Sequence, residues 1–453
     1  MTARIDALEA VVRKNSSTSS KPPSSDDPNN KGPAKKRSSR RKSGRQRGKQ
    51  PGSSGTTLHL VDDPDDMIEC PPRCCGGCGL GLAGAGVFAE QRRQGVDVPE
   101  PAPKPMVTEY RVQSKECGSC GSVTEGVAPG GAAGRVQYGP GVKARLAWLG
   151  CANFIPVRRA ADIMRMLLGI GVSTGFAAGV HAQAASLLEE SFLPHVRALL
   201  IGAPVAHADE TFVRAEAKLR YLHIACTDYL TVMHVRDRSA DTIDAGGIWP
   251  EFAGVLVRDG YAGYSPLDKI KHAWCHAHLQ RDLRAIHDAD ESGQSWAEAM
   301  GNTLILANRT ACQARAQDRD QLTDTELTQV RSRYLGALAK GLHENQTSQN
   351  RPAKAARTLI RRFQKHEAMI PRFCSDLRVP YTNNVADRNV RPTKVQQRAS
   401  GGCWRTLEGL AQFTILQPYL STARKWRIDQ LDAPTRLFKD DVWLPTALTP
   451  TAA

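Results

Sequence analysis

The sequence predicts a multidomain α/β protein in which a cysteine-rich segment and a small helical region precede the main α/β domain. Three observations predict this architecture. The chain has 453 residues, more than a single domain usually contains. From about residue 203, apolar and polar residues alternate as in half-buried strands, and longer helical patterns follow. Two Cys-x-x-Cys pairs stand upstream of these strands.

The composition is that of a soluble globular chain. Hydrophobic residues make up 41% and charged residues 24% of the sequence, which is the ordinary balance for such proteins. The apolar stretches are shorter than the ~18–20 residues that a membrane helix needs. The N-terminus lacks the apolar core of a signal peptide. We therefore expect a cytoplasmic protein.

The N-terminal region is strongly basic and predicts contact with nucleic acid. Residues 1–14 have the apolar spacing of a short coiled-coil-like helix. Residues 15–57 are predicted to be a disordered basic linker, because ten basic side chains and no acid fall within residues 31–49. A mobile polycation suits a polyanion, since each neutralised phosphate releases a counterion. A solvated linker without a partner has the same composition. The predicted DNA-contacting residues are Lys35, Lys36, Arg37, Arg40, Arg41 and Lys42.

The cysteine pairs predict a zinc-binding knuckle within residues 58–130. Four thiolates are enough for tetrahedral zinc, and paired Cys-x-x-Cys spacing favours a metal over free buried cysteines. Cys70 and Cys74 lie close by as rival ligands. Six further cysteines are scattered singly and are interpreted as small core residues. The predicted zinc ligands are Cys75, Cys78, Cys117 and Cys120.

Residues 131–200 are predicted to form several short helices. Leu and Ile recur at helical spacing, and Gly169, Gly171 and Gly175 interrupt the pattern, as tight turns would. Short helices beside a basic arm are compatible with a helix-turn-helix-like DNA-binding region. A compact helical linker has the same pattern.

Two acids follow apolar strand-like runs and are candidate metal ligands. Asp209 and Asp259 are expected at the edge of a sheet, where carboxylates on neighbouring strands can share divalent cations. Acids also follow strands simply as turn formers. A third acid, Asp387, lies three residues after Asn384, so that the two residues can form a capping-box-like helix start. The bases that follow, Arg388, Arg391 and Lys394, are candidates for phosphate contacts, and Pro392 is a potential helix break.

Four segments together resemble the transposases of the insertion-sequence-66 family. They are the Asp-Glu-Thr run in 207–214, the Asp-Gly-Tyr run in 257–264, the Cys-x-Ala-His-x-x-Arg run in 275–283 and the Thr-Asn-Asn run in 382–392. The basic run and the cysteine pairs also follow the family's order. The resemblance therefore covers nearly the whole chain.

This resemblance implies a ribonuclease-H-like catalytic domain over residues 201–430, with a helical insertion at about 290–375 and a C-terminal tail over 431–453. Its three acids, Asp209, Asp259 and Asp387, would bind two magnesium or manganese ions. The domain would cut DNA at element ends with water as nucleophile and join the freed 3′-hydroxyl to target DNA. The other expected active-site residues are Glu210, Tyr261, His278, Arg281 and Asn384.

The implied partners are double-stranded DNA (terminal repeats and target), further copies of the chain on that DNA, and companion transposition proteins. The implied location is the bacterial cytoplasm, with nucleoid association when DNA is bound. The family's third acid is normally Glu, so Asp387 shortens the reach by about 1.5 Å. Glu408 or Glu210 are substitutes outside the motif. The alternative function is a catalytically silent DNA-binding regulator. A third function, that of a zinc-dependent RNA-binding protein, has less support, because the sequence shows no stacking-rich surface for single strands.

Overall fold

A computed structural model describes residues 60–94, 105–126, 136–236, 243 and 246–450. Two compact units are distinguished, Pro28–Pro103 and the remainder of the chain. The predicted N-terminal helix and basic linker, with the six bases from Lys35 to Lys42, lie outside the described residues. Across the described ranges, no helix is both long enough and apolar enough to cross a membrane.

The centre of the larger unit is a five-stranded mixed sheet, which follows a separate two-stranded hairpin. The sheet has the order β5-β4-β3-β6-β7. Strand β3 pairs antiparallel with β4, which pairs antiparallel with β5, whereas β3–β6 and β6–β7 are parallel pairs. The strands are β1 Ser114–Glu116, β2 Val123–Glu125, β3 Val205–Ala215, β4 Lys218–Cys226, β5 Thr231–Arg236, β6 Val255–Arg258 and β7 Lys271–Trp274.

Within residues 136–204, four helices precede the sheet and share its hydrophobic core. Leu188 and Leu200 from these helices lie in the same buried cluster as Leu222 of β4. The helices predicted as a DNA-binding region are therefore packed onto the α/β core. Gly169 ends one helix with a φ of 64°, as predicted for a turn. Gly175 lies inside the next helix, so the prediction that it interrupts the helical pattern was wrong. The helices are α1 Pro140–Ala147, a π-helical turn Trp148–Ala152, α2 Val157–Leu168, α3 Thr174–Glu190 and α4 Phe192–Ile201.

A run of helices follows β7 and builds cores of its own. Trp296, Met300 and Phe363 are buried together, within the range of the predicted helical insertion. The helix that starts at Asp324 begins with a capping box between Thr323 and Glu326. Of the six scattered cysteines, Cys312 is exposed in this region, so its assignment to the core was wrong. The helices are α5 His276–Ala289, α6 Ser295–Arg315, α7 Asp324–Glu344, α8 Arg351–Lys365 and α9 Arg372–Ser375.

Three further helices bring the chain back to the sheet. Pro392 lies inside the first of them and does not end it. The segment predicted as a C-terminal tail is partly core, because Trp443 packs against Tyr419 and Trp426 with ring centroids 6.3 and 5.9 Å away. The helices are α10 Asn384–Ala399, α11 Leu407–Lys425 and α12 Asp432–Leu437.

Candidate active site

Asp209 and Asp259 lie side by side because of the register between β3 and β6. The parallel pairing ends at His207↔Val257, and each aspartate lies two residues beyond its member of that pair. The expectation that both acids stand at strand ends is wrong for Asp209. Strand β3 continues to Ala215 because its antiparallel partner β4 stays paired with it beyond the end of β6. Asp209 therefore lies on a rigid strand at the point where its parallel neighbour stops.

The loop after β6 fixes the Asp259 carboxylate. Its Oδ1 accepts a hydrogen bond of 2.9 Å from the backbone N–H of Tyr261. Beneath the loop, the guanidinium of Arg258, 3% exposed, donates to the carbonyl oxygens of Asp259 and Tyr261 at 2.9 and 3.2 Å. Gly260 packs so closely on Trp274 that an added Cβ would lie 2.9 Å from the Trp274 Cζ2 atom. The turn is thus held from below by buried groups.

His272 holds the Arg258 guanidinium in place. Arg258 Nε donates to His272 Nδ1 at 2.9 Å, and His272 Nε2 lies 2.7 Å from the Leu267 carbonyl oxygen. These partners fix the neutral tautomer with its proton on Nε2. Burial lowers the pKa of His272 to about 4, which agrees with a neutral ring. Sequence reasoning missed both residues, because their contacts join two strands that are separate in the chain.

Asp387 lies in the first turn of α10, and its charge acts on Asp209. The helix start is fixed by Asn383, which is 1% exposed. Its Nδ2 donates to the carbonyl oxygen of Ala208, and its Oδ1 accepts from His207 Nδ1, both at 2.8 Å. Its backbone N–H donates to Cys275 Sγ at 3.2 Å. The helix that carries Asp387 is therefore bonded to the residues just before Asp209.

The capping-box interpretation of this helix start was wrong. The residue at the N-cap is Asn383, and its side chain makes no capping hydrogen bond within α10. Its side-chain amide instead hydrogen-bonds to His207 and Ala208 of β3, so it does not cap α10. Asn384, the predicted active-site residue, is exposed as the first helical residue. A buried Asn before a helix resembles an ordinary cap in sequence, so only the non-local partners reveal its role.

The charges of Asp259, Asp387 and Glu210 act on the Asp209 carboxyl. Burial raises the pKa of the Asp209 carboxyl well above its usual range, and the charges of Asp259, Asp387 and Glu210 raise that pKa further. The backbone N–H of Glu210, which donates to Asp209 Oδ1 at 2.9 Å, lowers the pKa of Asp209. Hard oxygen donors that repel one another in this way fit a divalent cation, which would relieve the repulsion. As arranged in the described residues, no three His, Cys, Asp or Glu side chains form a ready ligand set.

The remaining predicted active-site residues surround this cluster in different ways. The Tyr264 hydroxyl hydrogen-bonds to Glu210; burial raises the pKa of Tyr264 well above its usual range, and the charge of Glu210 adds to the effect. Burial and the charge of Arg281 lower the pKa of His278, whereas Asp259 and Asp387 oppose that shift. His278 is thus close to two of the acids, and Arg281 stands exposed one turn along α5.

Tyr261 and Glu408, two more residues singled out in the sequence, have separate places. The Tyr261 ring packs edge-on against Tyr264, with centroids 5.9 Å apart. Glu408, the substitute for the third acid outside the motif, is exposed at the start of α11 and accepts a hydrogen bond from Gln412 at 3.0 Å. Asp387, by contrast, raises the pKa of Asp209. Asp387, and not Glu408, therefore stays the predicted third acid.

The predicted phosphate-contacting bases of α10 differ in exposure. Arg388 and Arg391 are exposed. Lys394 is half-buried, with its ammonium hydrogen-bonded to the carbonyl oxygen of Phe212 and 3.6 Å from the centroid of that ring. Burial lowers the pKa of Lys394 to about 8. Phosphate contact stays a prediction for all three, and Lys394 already has a structural partner.

The two cysteine pairs have the same local backbone geometry in their separate units. Cys75 N–H donates to the Leu80 carbonyl and Gly79 N–H to the Cys75 carbonyl, at 2.8 and 2.9 Å. In the β1–β2 hairpin, Cys117 N–H donates to the Ser122 carbonyl and Gly121 N–H to the Cys117 carbonyl, at 2.9 and 2.8 Å. Gly79 and Gly121 have φ values of 76° and 68°, which glycine adopts without strain.

Backbone N–H groups point at the first sulfur of each pair. Hydrogen bonds from Cys78 and Gly77 lower the pKa of the Cys75 thiol. Hydrogen bonds from Ser119 and Cys120 lower the pKa of the Cys117 thiol in the same way. Donors that favour a thiolate are suited to metal ligation, because the thiolate is the ligand form.

Clustered carboxylates at the edge of an α/β sheet define a class of candidate phosphoryl-transfer sites. Comparison with known families narrows this class. The model of the transposase IS66 family matches residues 135–412, a range that contains all three acids. The protein therefore belongs to the transposase IS66 family. A family of unknown function, DUF6444, matches residues 1–59.

One curated relative is also similar to part of the chain. This is the uncharacterized protein y4qI of Sinorhizobium fredii (strain NBRC 101917 / NGR234), which is 27% identical over 180 residues. The match covers 36% of this chain and 32% of the relative. The chain thus spans about a third of the length of that relative.

Proposed function

We propose that the protein binds the ends of an insertion sequence and catalyses metal-dependent DNA cleavage and strand transfer through Asp209, Asp259 and Asp387. The observation that carries this proposal is the electrostatic coupling of three carboxylates from a strand, a loop and a helix. The order and directions of the five strands support a ribonuclease-H-like core. The match to a transposase family over residues 135–412 supports DNA as the substrate.

In the proposed reaction, water adds across a phosphodiester bond and leaves a 5′-phosphate and a 3′-hydroxyl. The 3′-hydroxyl then attacks a target phosphodiester and displaces its 3′-oxygen, so the number of phosphodiester bonds is unchanged in this second step. When bound, two divalent ions supply activation of the nucleophile and neutralisation of the leaving oxygen. Asp209, Asp259 and Asp387 would hold these ions.

The surrounding residues position the acids and need not move during the reaction. The Tyr261 N–H orients the Asp259 carboxylate, and Arg258 supports the loop that contains both residues. Asn383 ties α10 to β3, so that the third acid keeps a constant distance from the first. Pre-organised ligands reduce the entropic cost of assembling the reactive geometry.

We also propose that Cys75, Cys78, Cys117 and Cys120 are zinc ligands. Each pair supplies two thiols, and thiolates are common ligands of structural zinc. The shared knuckle geometry and the lowered thiol pKa values of Cys75 and Cys117 support this proposal.

The catalytic proposal is tested by strand transfer on DNA that carries the element's own ends, with magnesium or manganese and with companion proteins added. The full chain is compared with Asp259→Ala and with Asp268→Ala, a matched control at an exposed acid nearby. Joining that is lost only in Asp259→Ala supports the proposal. Binding of the ends without any joining by the unaltered chain would favour the alternative, a catalytically silent DNA-binding regulator.

A further inference from the structure

We propose that α8 of the helical insertion is a docking surface for the phosphate backbone of duplex DNA beside the active site. This inference rests on the proposed function. The surface consists of four exposed basic side chains that recur at helical spacing on one side of the helix, over ~21 Å at 1.5 Å per residue. We call it the α8 basic face, and its residues are Arg351, Lys354, Arg361 and Lys365.

The charge of α8 is unfavourable for an isolated helix. Its fifteen residues include six Arg or Lys and no acid. Arg351 and Lys354 lie in the first turn, where the positive end of the helix dipole disfavours cations. Arg361 and Lys365 are four residues apart, a spacing at which like charges repel. A polyanion bound along the face would offset both unfavourable effects, because its negative charges attract the basic side chains.

Packing within the protein does not account for these four side chains. The opposite side of α8 supplies its buried contacts, including Leu359, Ile360 and Phe363. Two other bases of the helix have partners: Arg357 donates to the carbonyl oxygens of Asn345 and Ser348, and Arg362 pairs with Asp282 at 2.6 Å. Within the described ranges, no member of the α8 basic face takes part in a salt bridge. Their charges therefore remain available to a ligand.

The C-terminal end of α8 adjoins the catalytic loop. The ring of His366, the residue after Lys365, packs edge-on against Trp274 with centroids 4.5 Å apart. Trp274 is also the side chain against which Gly260 packs, next to Asp259. The pair Arg362–Asp282 joins α8 to α5, the helix that carries His278, on which the charges of Asp259 and Asp387 act. DNA held on this face would therefore continue toward the carboxylates.

The chemistry indicates phosphate recognition without base specificity. Arg and Lys side chains neutralise phosphates and fix the position of a duplex, whereas sequence is read by contacts to base edges. Duplex DNA carries a regular array of such charges along its length, which matches a linear face on a helix. Because the proposed reaction acts on DNA, we assign duplex DNA, and not RNA, as the ligand.

The test measures binding of a 30-base-pair random-sequence DNA duplex by the full chain as a function of salt concentration. One variant combines Lys354→Gln, Arg361→Gln and Lys365→Gln. A matched control combines Arg309→Gln, Arg333→Gln and Lys340→Gln, three exposed bases of α6 and α7 that remove the same charge. Since a lost phosphate contact reduces the slope of log K against log salt by about 1, we expect a reduction of about 3 in the first variant.

The outcomes separate this inference from the proposed function. Equal slopes for the two triple variants, with both folded by circular dichroism, would overturn the α8 basic face. An equal loss of binding to an RNA duplex of the same length would overturn DNA as its ligand. Strand transfer is measured on the same preparations. If the unaltered chain does not join DNA but the slope is reduced as expected in the first triple variant, the result supports the α8 basic face and contradicts the proposed reaction.

Discussion

The side-chain amide of Asn383 donates a 2.8 Å hydrogen bond to the carbonyl oxygen of Ala208, the residue before Asp209. Through this bond the helix that carries the third acid is fixed to the strand that carries the first. The same side chain accepts from His207, and its backbone N–H reaches Cys275 at the start of α5. One buried residue thus joins three elements around the candidate active site.

Replacing Asn383 should therefore weaken both folding and strand transfer. In Asn383→Ala, the Ala208 carbonyl and the His207 ring lose their partners in a buried site, which costs about 1–3 kcal/mol for each unsatisfied group. We expect the free energy of unfolding in urea to fall by about 2 kcal/mol or more, and strand transfer to fall in conditions where the variant is still folded. Asn384→Ala, at the exposed neighbouring position, should change the free energy of unfolding by less than about 0.5 kcal/mol. Equal effects of the two substitutions would contradict the role of Asn383.

The raised pKa of Asp209 predicts a stability that falls as pH rises. In the absence of divalent ions, the folded chain keeps a proton on Asp209 that the unfolded chain releases near pH 4. As the pH rises from about 4 to the folded-state pKa of Asp209, the free energy of unfolding should therefore decrease. Asp209→Asn removes this contribution. Urea denaturation from pH 5 to pH 8 should therefore show a smaller decline for Asp209→Asn than for the unaltered chain, and identical declines would show that Asp209 is not destabilised by its neighbours.

The short side chain of the proposed third acid, Asp387, can be tested by substitution. Asp387 is one methylene shorter than the Glu that its motif normally carries, and α10 is held against β3 by Asn383. Because both carboxylates are hard oxygen ligands, we expect Asp387→Glu to retain or raise strand transfer, whereas Asp387→Asn should abolish it. Strand transfer by the two variants is compared at equal protein concentration. An inactive Glu variant of an active parent would exclude this position as the third ligand.

The fold was largely predictable where local pattern decides the structure. The alternation of Leu222, Ile224 and Cys226 predicted β4, and the neighbourhood of Asp209 and Asp259 followed from their strand-like surroundings. The sequence did not reveal that α1–α4 share a core with the sheet, because helical periodicity identifies a buried face without naming its partner. For the same reason Trp443 was assigned to a tail.

The sequence predicted the three acids of the candidate site but not the residues that support them. Motif resemblance predicted Asp387 as the third acid, whereas Asn383, Arg258 and His272 act through contacts between residues far apart in the chain. The α8 basic face is an intermediate case. The spacing of its basic residues is visible in the sequence. Its position near Trp274 and Gly260 depends on how the helical insertion packs.

The cysteine pairs predict bound zinc in the purified chain. Removing one thiolate ligand weakens zinc binding, so Cys75→Ser and Cys117→Ser should each lower the zinc content of the purified full chain. Cys312→Ser changes an exposed cysteine outside the pairs and serves as the control. Elemental analysis that finds no zinc in the unaltered chain would overturn the proposed site.

The proposed reaction requires three carboxylates that act as one metal site, and manganese binding measured by electron paramagnetic resonance tests this requirement most directly. The full chain bound to a duplex of its element end is titrated with Mn²⁺, which prefers oxygen ligands. We predict that Asp209→Asn, Asp259→Asn and Asp387→Asn each weaken Mn²⁺ binding, whereas the control Asp268→Asn does not. Binding that persists unchanged in Asp387→Asn would contradict a site shared by strand, loop and helix.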